Sequence, residues 1–508
     1  MKPGRIAWSI AVLLSVPVGA GADDDVLPEP GVVHVFCRPG PNWVEHANGV
    51  EQRSQLSFEP AVKLPYEALD LAGWVTCLTG PQGGPYPNGC EAFDFDGDGD
   101  VDLADFAVLQ VTLTQCEKAK LTAADAAREQ HFGASVGITG DVVVVGAAGV
   151  FLGGDPGAAY VFRRYGSNWV QQQKLVPSDL QPGSSFGWKV AIDGNVAMVT
   201  APNDSGAGAV YVFGWNGATW AQHQKLLPTD PVVAGGFGVS VAINEDVVAI
   251  GLMGDVFFGK TRPGAIYVFR WNGSSWLQEE RLAPPEVGVF DRFGTSVAVS
   301  AGVIVGGAPG TGGGGAAYVF RWDGASWVQE QKLTASDRAS PANFGRSVAT
   351  YQNVLVVGAY SADGAFVGSG KAYVYRFNGS TWGDEQKLNP PTEVRYRSFG
   401  YSVSVLGDRL FVGATGAGTP GPASGAVYLY TLRGAEWVES LELIPSDGEA
   451  SDGFGGAVSL GVDLAIVGAS GTDDACSGDP FCSSGSAYIY DINVCLSGVP
   501  AASRGDFP

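Results

Sequence analysis

Twelve consecutive residues carry the strongest chemical signal in the chain: Asp94-Phe95-Asp96-Gly97-Asp98-Gly99-Asp100-Val101-Asp102-Leu103-Ala104-Asp105. Carboxylates stand at positions 1, 3, 5, 9 and 12 of this loop, Gly99 supplies the sharp turn at position 6, and Asp100 offers its backbone carbonyl at position 7. An oxygen-rich set of this kind suits a hard divalent cation, Ca2+, with Asp94, Asp96, Asp98, Asp102 and Asp105 as side-chain ligands and Asp100 completing the shell. A metal-free acidic loop is the weaker reading, because six crowded aspartates repel one another unless a cation neutralises them.

The elements around the loop suit that role. Apolar positions Leu103, Phe106, Ala107 and Leu109 begin a helical pattern inside the loop, as the exit helix of an EF-hand does, and Tyr66–Pro81 reads as an upstream helix. Ending the loop in Asp rather than Glu, with a helix after it, resembles a dockerin, the small module that docks onto cohesins. The resemblance implies a cohesin-like partner. It is incomplete, since Phe58-Glu59-Pro60-Ala61-Val62-Lys63 lacks the second Asp loop.

Other chemistry-bearing patterns dissolve on comparison within the chain. Gly133-Ala134-Ser135-Val136-Gly137 fits the Gly-x-Ser-x-Gly elbow of a nucleophilic serine. Thr295-Ser296-Val297 and Arg346-Ser347-Val348 place the same serine in the same context, so it belongs to a repeat. His34, His46, His131 and His223 form no HExxH, and no CxxC pair suggests zinc. No catalytic and no organic-cofactor residues are assigned.

The repeat sets the architecture. Phe-Gly recurs at Phe132, Phe186, Phe237, Phe293, Phe344, Phe399 and Phe454, at spacings of 51 to 56 residues. The fifth copy runs Phe344-Gly345-Arg346-Ser347-Val348, then Val354–Ala359, Ala372-Tyr373-Val374-Tyr375, and Trp382 to Gln386-Lys387-Leu388. Four short β-rich runs per unit, separated by turn residues, predict a propeller blade. The last copy stops after Ala487–Asp491, and Glu117-Lys118-Ala119-Lys120-Leu121 matches its missing fourth run. An N-terminal strand therefore closes the ring, which removes exposed sheet edges. The expected fold is all-β, a seven-bladed β-propeller over 117–494, plus a small α-helical calcium-binding module.

Short turns such as Gly140-Asp141 and Asn272-Gly273 mark one face as structural, whereas the two-to-three and four-to-one connections are long and variable, so binding is expected on their face. The Phe-Gly-x-Ser-Val start, Val-Val-Gly-Ala middle and Tyr-Val-Phe run resemble the FG-GAP repeat family, the integrin-α-like propellers, over about three quarters of the chain. None of the seven copies carries the Asp-x-Asp-x-Asp-Gly cation loop of integrin-type blades, so calcium is not expected there.

Two further series recur. Asp125, Asp179, Asp230, Glu286, Asp337 and Asp447 follow the fourth run by four residues, with Glu393 one later. A carboxylate ring at the pore mouth is one reading; acids satisfying backbone N–H groups of the four-to-one loops is the favoured one. Trp169, Trp220, Trp276, Trp327, Trp382 and Trp437 read as inter-blade core, and Trp215, Trp271 and Trp322 as exposed aromatic surface. Val35–Pro39 with Asn42-Trp43-Val44 resembles an orphan β-hairpin.

Lys2 and Arg5 precede the apolar run Ile10–Leu14, and small residues follow at Val18–Ala22, the pattern of a secretory signal. In an exported chain the seven cysteines read mostly as disulfides: Cys77–Cys90, Cys476–Cys482 and Cys116–Cys495, with Cys37 unpaired. A net charge of −22 argues against nucleic acid or an anionic membrane as partner, and no segment is long enough to span a bilayer. The organisation is a signal peptide (1–22), an N-terminal segment (23–57), the dockerin-like module (58–116), the propeller (117–494) and a tail (495–508). The expected function is non-catalytic: a secreted or cell-surface, calcium-binding adhesion propeller that recognises an extracellular protein or glycan. The alternative is an extracellular glycan-active enzyme, or a subunit of one. The double substitution Asp96→Ala, Asp98→Ala should abolish calcium binding by 58–116 and leave the propeller folded; unchanged calcium uptake by titration calorimetry would place the site elsewhere.

Overall fold

The computed structural model describes the strand backbones 8–12 and 35–39, and residues 116–497 except 150–154, 230–235, 254–262, 338–341, 364–366, 391–396, 419–421 and 475–481. The chain divides into two compact units, Met1–Val62 and Lys63–Pro508. The proposed calcium loop and the Cys77–Cys90 pair lie outside the described residues.

In the first unit, β1 (Trp8–Val12) pairs antiparallel with β2 (Val35–Pro39), Trp8 opposite Pro39 and Val12 opposite Val35. The pairing reaches back to the apolar run assigned to the export signal. Both segments are short and β-rich, and an unpaired apolar strand joins whichever compatible edge the chain supplies. Asn42–Val44 lies outside the described residues.

The second unit holds seven four-stranded antiparallel sheets. Six are built from consecutive strands within 132–175, 190–226, 237–282, 296–333, 347–388 and 399–443; the seventh joins 457–491 to 117–121. The first strands of neighbouring blades pack side by side around the axis, and the second strands, such as Val354–Ala359, are buried along their whole length. Such strands read as continuous apolar runs because both faces lie against neighbouring sheets. One core cluster combines Val303, Val305 and Val319 of blade four with Phe344, Leu355, Val357 and Trp382 of blade five. Another joins Leu121, Ile466 and Ile489 of blade seven to Phe132, Val143 and Tyr160 of blade one, so hydrophobic burial continues around the full circle.

Closure is as expected from the repeat arithmetic. Glu117–Leu121 pairs antiparallel with the last strand, Lys120 opposite Tyr488 and Leu121 opposite Ala487. Cys116 and Cys495 are both buried and form a disulfide across a separation of 379 residues. Cys482 is disulfide-bonded as well. The C-terminal boundary needs correction: a helix spans Ile492–Ser497, and its Ile492 and Cys495 belong to the blade-seven core, so the folded unit continues past 494.

Phe-Gly is the contact that joins one blade to the next. The Phe344 amide donates to Gly314 O of blade four at 3.0 Å, its ring lies edge-on to Tyr373 at 5.2 Å, and it bridges to Gly315 in parallel. Gly345 has φ +91° and Gly315 φ +93°. A Cβ on Gly345 would overlap the Ala316 carbonyl oxygen, and one on Gly315 would overlap that of Phe344. Glycine is required on both sides because two backbones meet there without intervening side chains. Gly345→Ala should therefore cost more than ~2 kcal/mol by denaturant titration. Gly140→Ala, at φ +52° with nothing within 4 Å, should cost only about 1 kcal/mol; equal losses at the two positions would contradict the close-approach explanation.

Candidate functional site

The recurrent polar residues are engaged in joining blades. Ser135 Oγ is buried and donates to Gly187 O of the next blade at 3.0 Å. Ser240, Ser296, Ser347 and Ser402 do the same to Gly294, Gly345, Gly400 and Gly455 at 2.6–2.9 Å. The Gly-x-Ser-x-Gly serine is thus one of a structural series whose acceptor is a Phe-Gly carbonyl.

Among the described residues, the acids of the series bond chiefly to side chains of the following blade and not to backbone N–H groups, which corrects the favoured expectation. Asp125, Asp337 and Asp447 each cross to a tyrosine and a lysine of the following blade. Asp125 accepts from Tyr160 Oη at 2.9 Å and Lys174 Nζ at 2.6 Å. Asp337 accepts from Tyr373 Oη at 2.9 Å and Lys371 Nζ at 2.8 Å, and Asp447 from Tyr488 Oη at 2.8 Å and Lys120 Nζ at 2.5 Å. Burial pushes the Asp337 carboxyl up, but the bonds from Lys371 and Tyr373 and the nearby lysine charges outweigh it and hold it at about 2. Lys225 sits between Asp179 and the buried Asp204, each at 2.7 Å, and Asp204 also accepts from Tyr211 Oη at 3.0 Å. Burial, followed by the Asp204 bond, pushes the Tyr211 phenol up to about 12.

Two junctions depart from the pattern. Glu286 has one methylene more than Asp; it accepts from Gln329 instead, and Tyr318 Oη has no hydrogen-bond partner among the described residues. At blade six the charges are reversed: Arg397 donates to Tyr428 Oη at 2.6 Å, and Tyr428 donates to Glu442, which replaces the fourth-run lysine, at 2.6 Å. Asp230 and Glu393 lie outside the described residues.

A third series is the glutamine four residues after Trp169, Trp220, Trp327 and Trp382, part of the recurring Gln-Lys-Leu run, whose partner on the next blade was not foreseen from the sequence. Gln173 Nε2 donates to Trp220 O and Gln173 Oε1 accepts from Trp220 N, both at 2.8 Å. Gln224 with Trp276, Gln331 with Trp382 and Gln386 with Trp437 repeat this reciprocal clamp. Trp220, Trp276, Trp327, Trp382 and Trp437 are buried between blades as expected, whereas Trp169 is only half-buried. Trp215, Trp271 and Trp322 are half-buried rather than freely exposed, because each leans on the buried Trp of its own hairpin at 5.5–5.8 Å.

A cavity of about 280 Å³ opens where blades three, four and five meet, on the face of the short hairpin turns. Working surface was expected on the opposite, long-loop face; the turn chemistry that marks tight hairpins does not reveal the hollow left between neighbouring blades. Arg270 and Trp322 form one wall, with the guanidinium 4.8 Å from the indole centroid. Arg270 is held by Glu279 at 2.7 Å and Asp246 at 3.1 Å, so its charge is balanced within the wall. Asn244, Glu245, Ser300, Tyr351 and Gln352 line the remainder.

Two titratable groups elsewhere are perturbed. Burial, and then the Arg346 charge, pushes the Lys189 amine down to about 8, and its Nζ makes no hydrogen bond or ion pair among the described residues. Burial, with Glu449 and Asp447 adding charge, pushes the Asp452 carboxyl up to about 6 despite an N–H bond from Glu449. Among the described residues, no group of three or more His, Cys, Asp or Glu could hold a metal ion. Asp94, Asp96, Asp98, Asp100, Asp102 and Asp105 lie outside those residues.

The FG-GAP repeat model matches residues 116–162, 169–213, 220–269, 276–320, 327–375, 382–430 and 437–490, which is most of the chain. The chain belongs to the FG-GAP repeat family. Each match ends on the tyrosine-bearing third strand and, after the first, begins at a Trp of the preceding hairpin, so the matched unit straddles a blade junction. FG-GAP repeats occur in extracellular and cell-surface proteins, and the FG-GAP propeller is a binding or adhesion type of domain. No helix among the described residues is long and apolar enough to cross a membrane. No curated protein matches the chain. A chain in "Crystal Structure of Mitotic Checkpoint Complex" is similar at 13% identity and a TM-score of 0.45, over 74% of this chain and 94% of that one.

The latch geometry predicts a pH dependence. Asp337 is held below its unfolded value, so its contribution is complete above pH ~4 and is lost as pH falls towards 2. Asp337→Asn should cost about 1 kcal/mol at pH 7, discounted for partial exposure, and the gap to wild type should close below pH ~3. A gap that persists at pH 2 in urea titrations would mean the carboxylate charge is not what stabilises the junction.

Proposed function

We propose that this chain is an exported, calcium-binding protein whose FG-GAP propeller is a non-catalytic binding or adhesion domain, docked through the dockerin-like module at 58–116 to a larger extracellular assembly. The observation that carries this reading is where the polar side chains go. The serine and glutamine series and the described acids are engaged in junctions between blades, whereas the cavity at blades three to five leaves aromatic and polar side chains facing open space. Binding uses such a surface without needing a nucleophile or an acid–base pair. Ca2+ would be held by Asp94, Asp96, Asp98, Asp102 and Asp105 with the Asp100 carbonyl, and would order the module that engages a cohesin-like partner.

Asp452 is the observation that favours the enzyme reading, since a carboxyl raised to about 6 is what a general acid needs. Its N–H bond from Glu449 and 5% exposure suit a loop-ordering role better. Two measurements on the whole chain separate the readings: affinity capture of extracellular proteins and glycans with and without calcium, and a turnover screen on polysaccharides. The proposal predicts saturable capture and no turnover. Turnover abolished by Asp452→Asn would overturn it.

A further inference from the structure

The hairpin turns around the cavity carry a feature that packing does not explain. The first-to-second-strand turns of blades one, two and six place Gly140, Gly194 and Gly407 in the left-handed region, at φ +52°, +52° and +62°. Blades three, four and five hold Glu245, Ala301 and Gln352 in that conformation, at φ +54°, +49° and +52°. All three line the cavity. Nothing lies within 4 Å of where a Cβ would stand on Gly140, Gly194 or Gly407, so the position is open and does not demand a side chain for packing. Left-handed non-glycine residues occur elsewhere in the chain too, but at this turn position they fall on the three adjacent blades that enclose one hollow, and two of them, Glu245 and Gln352, bring polar side chains to it, which indicates that those side chains serve a ligand.

The lining specifies the ligand's chemistry. Trp322 lines the cavity with Arg270 stacked over its indole at 4.8 Å and Trp327 tilted against it at 5.5 Å, so the wall is an aromatic–guanidinium stack. Asn244 Oδ1 is fixed by the Ala301 amide at 3.2 Å, which leaves its Nδ2 as a donor, and Ser300 Oγ accepts from the Gln352 amide at 3.3 Å, which leaves its hydrogen to donate. The Glu245 carboxylate makes no hydrogen bond or ion pair among the described residues. Arg270 is neutralised by Asp246 and Glu279, so no free cation awaits an anion. An aromatic–guanidinium wall, several separate donors and acceptors, and room for one ring together suit a molecule with an apolar C–H face and a rim of hydroxyls.

We propose that this cavity binds a neutral hexopyranose, the terminal residue of a glycan, with its C–H face along the wall that Trp322 and the Arg270 stacked on it form, and its hydroxyls bonded to Asn244, Glu245 and Gln352. The inference rests on the binding reading above and names the ligand class for that propeller. It is tested on the full chain with a panel of methyl hexopyranosides, read by tryptophan fluorescence and saturation-transfer NMR. The decisive variant is the double substitution Glu245→Gly, Gln352→Gly, which relieves backbone strain and so should melt at a higher temperature than wild type while binding at least tenfold more weakly. Trp322→Leu should lose the fluorescence response. The proposal is overturned if no hexopyranoside binds saturably, if the double glycine variant binds as wild type does, or if uronates or sulfated sugars bind more tightly than neutral ones. Capture of extracellular partners that persists undiminished in the glycine variant would remove the sugar site and leave the adhesion reading standing.

Discussion

Adjacent blades meet backbone to backbone at every Phe-Gly, and the rest of the ring is arranged around that contact. Because no side chain fits between Gly345 and the Ala316 carbonyl, the neighbouring sheets come close enough for the Phe344 amide to reach Gly314 O. The same approach brings Ser347 within reach of the Gly400 carbonyl one junction further on. The phenylalanine ring then fills the wedge between sheets, edge-on to the blade's tyrosine. The tyrosine hydroxyl, left at the rim of that wedge, is what the acid of the preceding loop captures. Sterics at one dipeptide thus determine which polar groups can meet across each junction.

The closing junction uses the same contact, although its two sides are hundreds of residues apart in the chain. The Phe132 amide donates to Ser484 O at 3.0 Å, and Phe132 bridges to Gly485 in parallel, as Phe344 does to Gly315. Outside it, Glu117–Leu121 completes the seventh sheet, Lys120 takes the place of the fourth-run lysine in the Asp447–Tyr488 latch, and Cys116–Cys495 ties the ends. The seam keeps the Phe-Gly contact and adds a covalent bond, while Ala457 and Ala119 stand where other blades carry the junction serine and glutamine.

Much of this was legible because a repeat shows its own pattern sevenfold. The Phe-Gly spacing, the displaced fourth run at Glu117–Leu121, the Cys116–Cys495 bridge and the structural role of Ser135 all followed from setting the copies beside one another. Less was legible where function depends on departures from the repeat. Glu245, Ala301 and Gln352 differ from Gly140, Gly194 and Gly407 at one turn position, and that difference becomes a site only because blades three, four and five are adjacent in space. The reversed pair at blade six required noticing two exchanges together, Glu442 for lysine and Arg397 on the loop before Tyr428. The partners of the acid series were unreadable for a different reason: the four-residue offset fixes where each carboxylate starts but not that it crosses to the next blade.

If the repeated Phe-Gly contact is what holds the ring, every junction should open only when the whole ring does. Native-state hydrogen exchange of the Phe132, Phe186, Phe237, Phe344, Phe399 and Phe454 amides, each of which donates to the preceding blade, measures this directly. The account predicts that all six exchange with the same opening free energy, equal to that of global unfolding, with Phe132 at the seam no less protected than the others. Exchange of Phe132 through a much lower-energy opening, with the other junctions still closed, would show that the ring has a weak seam and that the dipeptide contact does not govern its integrity.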